Sequence, residues 1–466
     1  MSRSKTIYLL LGVLAAACAA TLAVIRVEEH KEKISTSDAI ILELPGESVE
    51  SLAWTYNATT MAFHRDGTWI YDGDGHFPVS EEKINGLLEQ FQAFGAAFVI
   101  EDVEDFGQYG LDDPVCTIRL ATAEQTYEIA LGDYSRMDAQ RYVSIGDGKV
   151  YLVKHDPLEE FDAVLSDMIR HDGIPSFDHV TKIRFSGAES YSITYEENSA
   201  GTYSADDLYF TRKNNKNLPL DTAKVDSYLR NMTNLNPADY VTYNVTDEEL
   251  QEYGLDAPYL TIAVDYTREG EDGEEITDTF VLSVSPDPEE VKAAEEGADG
   301  DEEKEIPAYI RIGDSQIVYK VSSGNYSRLA AASYDDLRHP EVIWADFSDV
   351  EQIDISLEGE GYTLRCEKDG DEHTWLYQEE EIEISALQSG LEALTAQEFT
   401  GERPAQKEEI SLTVYLDNEN FPEVRIALYR YDGTRCLAVV DGESVSLVDR
   451  TAVVDLVEAV HAIVLE

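Results

Sequence analysis

Ser80-Glu81-Glu82-Lys83 has the S-x-x-K spacing in which a lysine can take the proton of a serine nucleophile. The chain supplies its own test of that chemistry, because the segment recurs as Asp221-Thr222-Ala223-Lys224 and as Ser385-Ala386-Leu387-Gln388. Aspartate cannot replace the attacking hydroxyl, yet Ser and Asp both accept hydrogen bonds from the free amides of a helix start. Ser80, Asp221 and Ser385 are therefore read as helix N-caps, and no S-D-N or K-T-G motif accompanies them. Asp72-Gly73-Asp74-Gly75 opens like a calcium loop, but His76 and Phe77 stand where a third ligand and a glycine are needed. A Gly/Asp hairpin turn accounts for those residues. The nine histidines hold no H-E-x-x-H pair; His64, His76, His155, His171 and His179 scatter over turns and junctions. Neither G-x-S-x-G, a phosphate-cradling glycine loop nor C-x-x-C is present. No catalytic, cofactor-binding or metal-ligating residue is assigned on this basis.

The most specific motif is Tyr109-Gly110-Leu111-Asp112-Asp113-Pro114, which returns as Tyr253-Gly254-Leu255-Asp256-Ala257-Pro258. Gly110 and Gly254 can supply a positive φ, Pro114 and Pro258 fix the entry to a strand, and the Tyr and Leu pin the turn to a core. The turn belongs to a larger repeat. Arg141–Asp147 with Val150–Val153 is echoed by Tyr309–Asp314 with Ile317–Tyr319, and more weakly by Leu437–Gly442 with Val445–Val448. Each capped segment opens an amphipathic helix: Ile84, Leu87, Leu88 and Phe91; Val225, Tyr228, Leu229 and Met232; Leu387, Leu391 and Leu394. A strand precedes each helix, Trp69-Ile70-Tyr71, Leu208-Tyr209-Phe210 and Trp375-Leu376-Tyr377. The expected fold is α+β, with three copies of a hairpin, a helix and an antiparallel meander. The modules fall at 45–172, 178–338 and 348–466, with His171–Pro175 and Arg338–Pro340 punctuating the joins. Pro286–Pro307 reads as an acidic, disordered insertion in a hairpin of the second module, with weak calcium capture as the sharper alternative.

The elements sit in a chain of 466 residues with 94 acidic against 35 basic side chains, a formal charge of −59. Such a surface repels phosphate backbones, which excludes nucleic-acid binding, and it favours cations or basic partners. Arg3 and Lys5 precede an uncharged run, Ile7–Ile25, whose nineteen residues match the thickness of a bilayer core. Residues 1–25 are read as a cytoplasmic tip and a single transmembrane helix, 26–44 as a polar stalk, and the remainder as extracytoplasmic. The alternative for this segment is a lipid-bearing Cys18 behind a poor lipobox. Of the other cysteines, Cys366 and Cys436 share a module and either pair or remain buried thiols, and Cys116 stands alone.

These marks together (the membrane helix, the Y-G-L-x-x-P turns at Tyr109–Pro114 and Tyr253–Pro258, and the hairpins at Ile145–Val153 and Ile312–Val321) resemble the bacterial domain-of-unknown-function 4340 family. The resemblance covers most of 45–340 and, more loosely, 348–466, which lacks the Y-G-L turn. It implies an accessory component that accompanies an ABC-type transporter or envelope export system, and it carries over no catalytic residue and no cofactor. The expected function is thus non-catalytic binding to a permease or envelope protein. A cell-envelope hydrolase with a site between modules is one alternative. The other is an adhesin or structural envelope protein presenting Trp54, Trp69, Trp344 and Trp375.

Overall fold

A computed structural model describes residues 33–36, 38–213, 215–270, 273–296, 305–369 and 372–465. The chain forms two compact units, Met1–His171 and Asp172–Glu466. The first holds one ten-stranded antiparallel sheet and the second holds two nine-stranded ones, so the architecture is α+β with a repeated sheet-plus-helix module. In the first sheet the strand Val49–Tyr56 is central. On one side it pairs with Thr59–Asp66, which leads to Thr68–Tyr71; on the other with Cys116–Thr122, from which a meander runs through Thr126–Ser135, Gln140–Ser144 and Val150–Val153. The module helix, Glu81–Glu89, is followed by Phe94–Glu101 at the far end of that meander.

The second unit repeats this path twice, around His179–Gly187 and around Val350–Leu357. The equivalence extends to single residues. Val49, Val180 and Val350 each precede a one-residue bulge against the neighbouring strand. Ser80 N donates to Met168 O at 2.8 Å, and Asp221 N donates to Leu337 O at 3.0 Å. Alternating burial along each central strand gives one face to the helix. In the last module Ile353, Ile355, Leu364, Leu412 and Val414 form one core with Leu387, Leu391 and Leu394, and with Val453, Leu456 and Val460 of the C-terminal helix Arg450–Val464.

Several expectations are corrected. Part of the stalk 26–44 belongs to the first sheet: Lys33–Thr36 pairs with Phe98–Glu101, Ile40–Leu42 pairs with Phe94 and Gly95, and Leu44 is buried. The apolar strand Phe94–Glu101 would otherwise be an uncovered edge. The insertion 286–307 does split a hairpin, but Pro288–Glu296 within it is a helix. Glu, Ala and Lys are strong helix formers, and Asp287 Oδ1 accepts from Glu289 N at 3.1 Å. Ser385 is not a cap. It is the first residue of the helix Ser385–Glu392, and its N–H is bonded by Glu383 Oε1 at 3.2 Å. The pairing registers set Trp69 level with Tyr209 and Trp375, one position along from Leu208. The transmembrane segment Ile7–Ile25 lies outside the described residues, among which no helix is long and apolar enough to cross a membrane.

Candidate functional site

The motif residues singled out by sequence take up backbone positions in the fold. Phe106–Tyr109 is a short 3-10 turn that ends at Gly110, φ 69°. Its counterpart Asp247–Glu252 is a helix turn started by a Thr246–Glu249 capping box and followed by Tyr253 and Gly254, φ 67°. Tyr109 packs 4.9 Å from Tyr142 and Tyr253 packs 4.7 Å from Tyr309, each in a small separate cluster that also holds Leu111 or Leu255. Pro114 and Pro258 deliver the chain to Cys116–Thr122 and Leu260–Glu269. Ser80 Oγ accepts from Lys83 N at 3.3 Å, and Asp221 Oδ1 accepts from Ala223 N and Lys224 N. Asp72 is bonded to His64, and Asp74 to His76; among the described residues no group of three or more His, Cys, Asp or Glu could hold a metal ion. Cys116, Cys366 and Cys436 are free thiols; burial pushes Cys116 up to about 12 and Cys436 up to about 11.

The groups that converge on open space are others. In the second module a cavity of about 450 Å³ lies between the start of His179–Gly187, the strands carrying Tyr195 and Tyr209, and the helix Thr222–Thr233. Tyr209 is buried at its floor, hydrogen-bonded to Asp226; burial first, and then the Asp226 charge, push its phenol well above the usual range. Tyr195 stands 5.7 Å from Tyr209 and donates to Glu197 at 2.9 Å, which also raises it. The exposed His179 ring meets Tyr195 edge-on at 4.8 Å. Asp178 and His179 are shared with an adjoining hollow of about 280 Å³ that carries Glu269, Glu274 and Glu275. Both phenols are neutral and donate, whereas the carboxylates accept. The arrangement suits binding of a polar, positively charged group better than attack on a substrate. Of these residues sequence reasoning named only His179, as a scattered histidine, and Tyr209, as part of a strand. The signal was available in the repeat, where Arg65 becomes Tyr195 and Asn85 becomes Asp226.

A second cluster joins the two modules of the second unit. The buried Asp207 carboxylate has His339 Nε2 at 2.7 Å and accepts from Trp344 Nε1 at 3.1 Å and from the Thr202 hydroxyl. His339 stacks on Trp344 at 4.3 Å, and Tyr203 enters the core of the last module, 4.8 Å from Trp344. An Asp–His pair can activate a nucleophile only through the other ring nitrogen. Here that atom, Nδ1, faces Glu341 at 3.8 Å. The pair works as a buried joint.

The family model for the domain of unknown function 4340 (DUF4340) matches residues 69–209 and 211–413. The chain belongs to the DUF4340 family. No curated protein and no solved structure matches it. The first match starts on Thr68–Tyr71, the strand before the helix Glu81–Glu89, and the second on Tyr209–Lys213, with the strand Lys216–Leu220 between it and the helix Thr222–Thr233; each runs across the join into the next module. Both clusters straddle the boundary between the two matches: Tyr195, Tyr209 and Asp207 lie in the first, and Asp226, His339 and Trp344 in the second.

Proposed function

We propose that the chain is a non-catalytic, extracytoplasmic binding subunit of a membrane complex of the ABC-transporter or envelope export class, tethered by Ile7–Ile25. The observation that supports this most is the use made of the motif residues. Tyr109, Gly110, Tyr253 and Gly254 fix turns, while Ser80 and Asp221 cap helices, so the repeated unit contributes surface. A charge of −59 keeps that surface soluble and draws in basic partners. The hydrolase alternative would need the Asp207–His339 pair to address a nucleophile, and Glu341 occupies that side. The adhesin alternative would need exposed tryptophans, and Trp54, Trp69 and Trp375 are buried.

The test is cross-linking of the full-length chain in intact cells, followed by identification of membrane proteins attached to it. A permease or export subunit is the expected partner. Fractionation of the chain with soluble proteins, or capture of no membrane protein from cells rich in it, would overturn the reading.

A further inference from the structure

The three modules offer an internal comparison at the place where the second one opens. Strand register makes Trp69, Tyr209 and Trp375 equivalent, and likewise Arg65, Tyr195 and Cys366. Counting back from the equivalent valines 49, 180 and 350 makes Gly46, Phe177 and Phe347 equivalent as well. In the first module the chain's own Arg65 guanidinium lies over the Trp69 ring, 5.6 Å from its centroid. In the third, Phe347 covers Trp375 at 5.4 Å. In the second, Phe177 turns away to pack on Tyr266 and Phe280, at 5.4 and 5.6 Å. Arg65's place is taken by Tyr195, 5.7 Å from Tyr209, so the second module exchanges the chain's own cation for a second aromatic ring. A carboxylate, Asp226, stands where the first module has Asn85.

We propose that this cavity in the second module binds a protonated amine or guanidinium against Tyr195, Tyr209 and Asp226, taking from outside the cation that the first module carries itself as Arg65. This deepens the binding-subunit reading and rests on it. An aromatic face attracts a cation through its quadrupole, and a half-buried carboxylate adds direct charge attraction. Asp178 and the neighbouring Glu269, Glu274 and Glu275 extend the negative field at the mouth. Of the opposing charges, Arg268 lies 3.8 Å from Asp278, and Arg230 sits on the exposed rim. The volume, about 450 Å³, accommodates a linear amine or one lysine or arginine side chain with its neighbours. The source of the cation is either a free polyamine or a basic side chain of a partner protein.

The full-length protein in detergent, at physiological ionic strength, is titrated with spermidine and separately with a short lysine- and arginine-containing peptide. Calorimetry is expected to show one saturable site that Asp226→Asn and Tyr195→Leu each weaken about tenfold or more. Glu419→Gln, an exposed charge loss in the last module, is expected to leave it unchanged. Preference for spermidine assigns a free polyamine, and preference for the peptide assigns a protein side chain. Equal affinity for Asp226→Asn, Glu419→Gln and the parent, or the absence of any saturable site, overturns the proposal, since general attraction to an acidic surface would then suffice. Cross-linking of the same variants separates the two readings: loss of the cation site with membrane partners still captured by the parent chain leaves the binding-subunit reading standing.

Discussion

Gly110 and Gly254 share a left-handed backbone but not the same surroundings. A Cβ on Gly254 would find its nearest neighbour at 3.5 Å, so only the backbone strain of an L-residue would count there. A Cβ on Gly110 would meet Asp133 Cγ at 2.7 Å and the Asp133 backbone nitrogen at 2.9 Å. Urea unfolding is expected to show Gly254→Ala losing about 1–2 kcal/mol and Gly110→Ala clearly more, about 3 kcal/mol. Equal losses would mean that strain alone decides both sites. The motif was legible because positive φ selects glycine in any sequence. What holds the turn down was not, because the two modules use different atoms. Gly132 lets the Tyr109 carbonyl approach so closely that a Cβ would stand 2.2 Å from it. The equivalent Ser285 instead donates to Gly254 O at 2.7 Å and accepts from Tyr259 N at 3.0 Å. A glycine and a serine doing one job look unrelated in one dimension.

Helices and strands were read from periodicity, which survives substitution; their exact starts depend on one or two polar atoms, which do not. Asp221→Ala is expected to cost about 1 kcal/mol, because two amides lose their acceptor. Ser385→Ala is expected to stay within a few tenths of a kcal/mol, since that hydroxyl caps nothing, whereas Glu383→Ala, which removes the acceptor of the Ser385 N–H, should weaken the third helix more than Ser385→Ala does. Thermal unfolding of the three variants checks the order, and a larger loss for Ser385→Ala than for Glu383→Ala would restore the serine as cap. The helix Pro288–Glu296 was missed for the opposite reason. Its acidic composition signals solvation, and solvation is compatible with a surface helix as much as with an unfolded loop.

At the scale of the whole chain, His171–Pro175 and Arg338–Pro340 look alike in sequence, as short polar joins with a proline, yet only the first divides compact units. The difference is the Asp207 joint. Modules two and three are held as one unit because a loop of the second carries Tyr203 into the core of the third, while Asp207 accepts from groups on both sides of the join. Periodicity reports which face of an element is buried, not which loop reaches a neighbouring core, so the joint left no mark in the pattern. Asp207→Ala would strand the Trp344 indole N–H and the Thr202 hydroxyl inside the protein and leave His339 without its partner. Each orphaned buried group costs about 1–3 kcal/mol, enough to offset the packing gained across the join. The expected outcome is that unfolding of the second unit, cooperative in the parent, separates into two transitions, the Trp344 emission changing with the first. Proteolytic cleavage within 338–346 should appear before either module is digested. A single transition lowered as a whole, with the join still protected, would show instead that apolar packing around Tyr203 couples the modules and that the buried carboxylate adds only local stability.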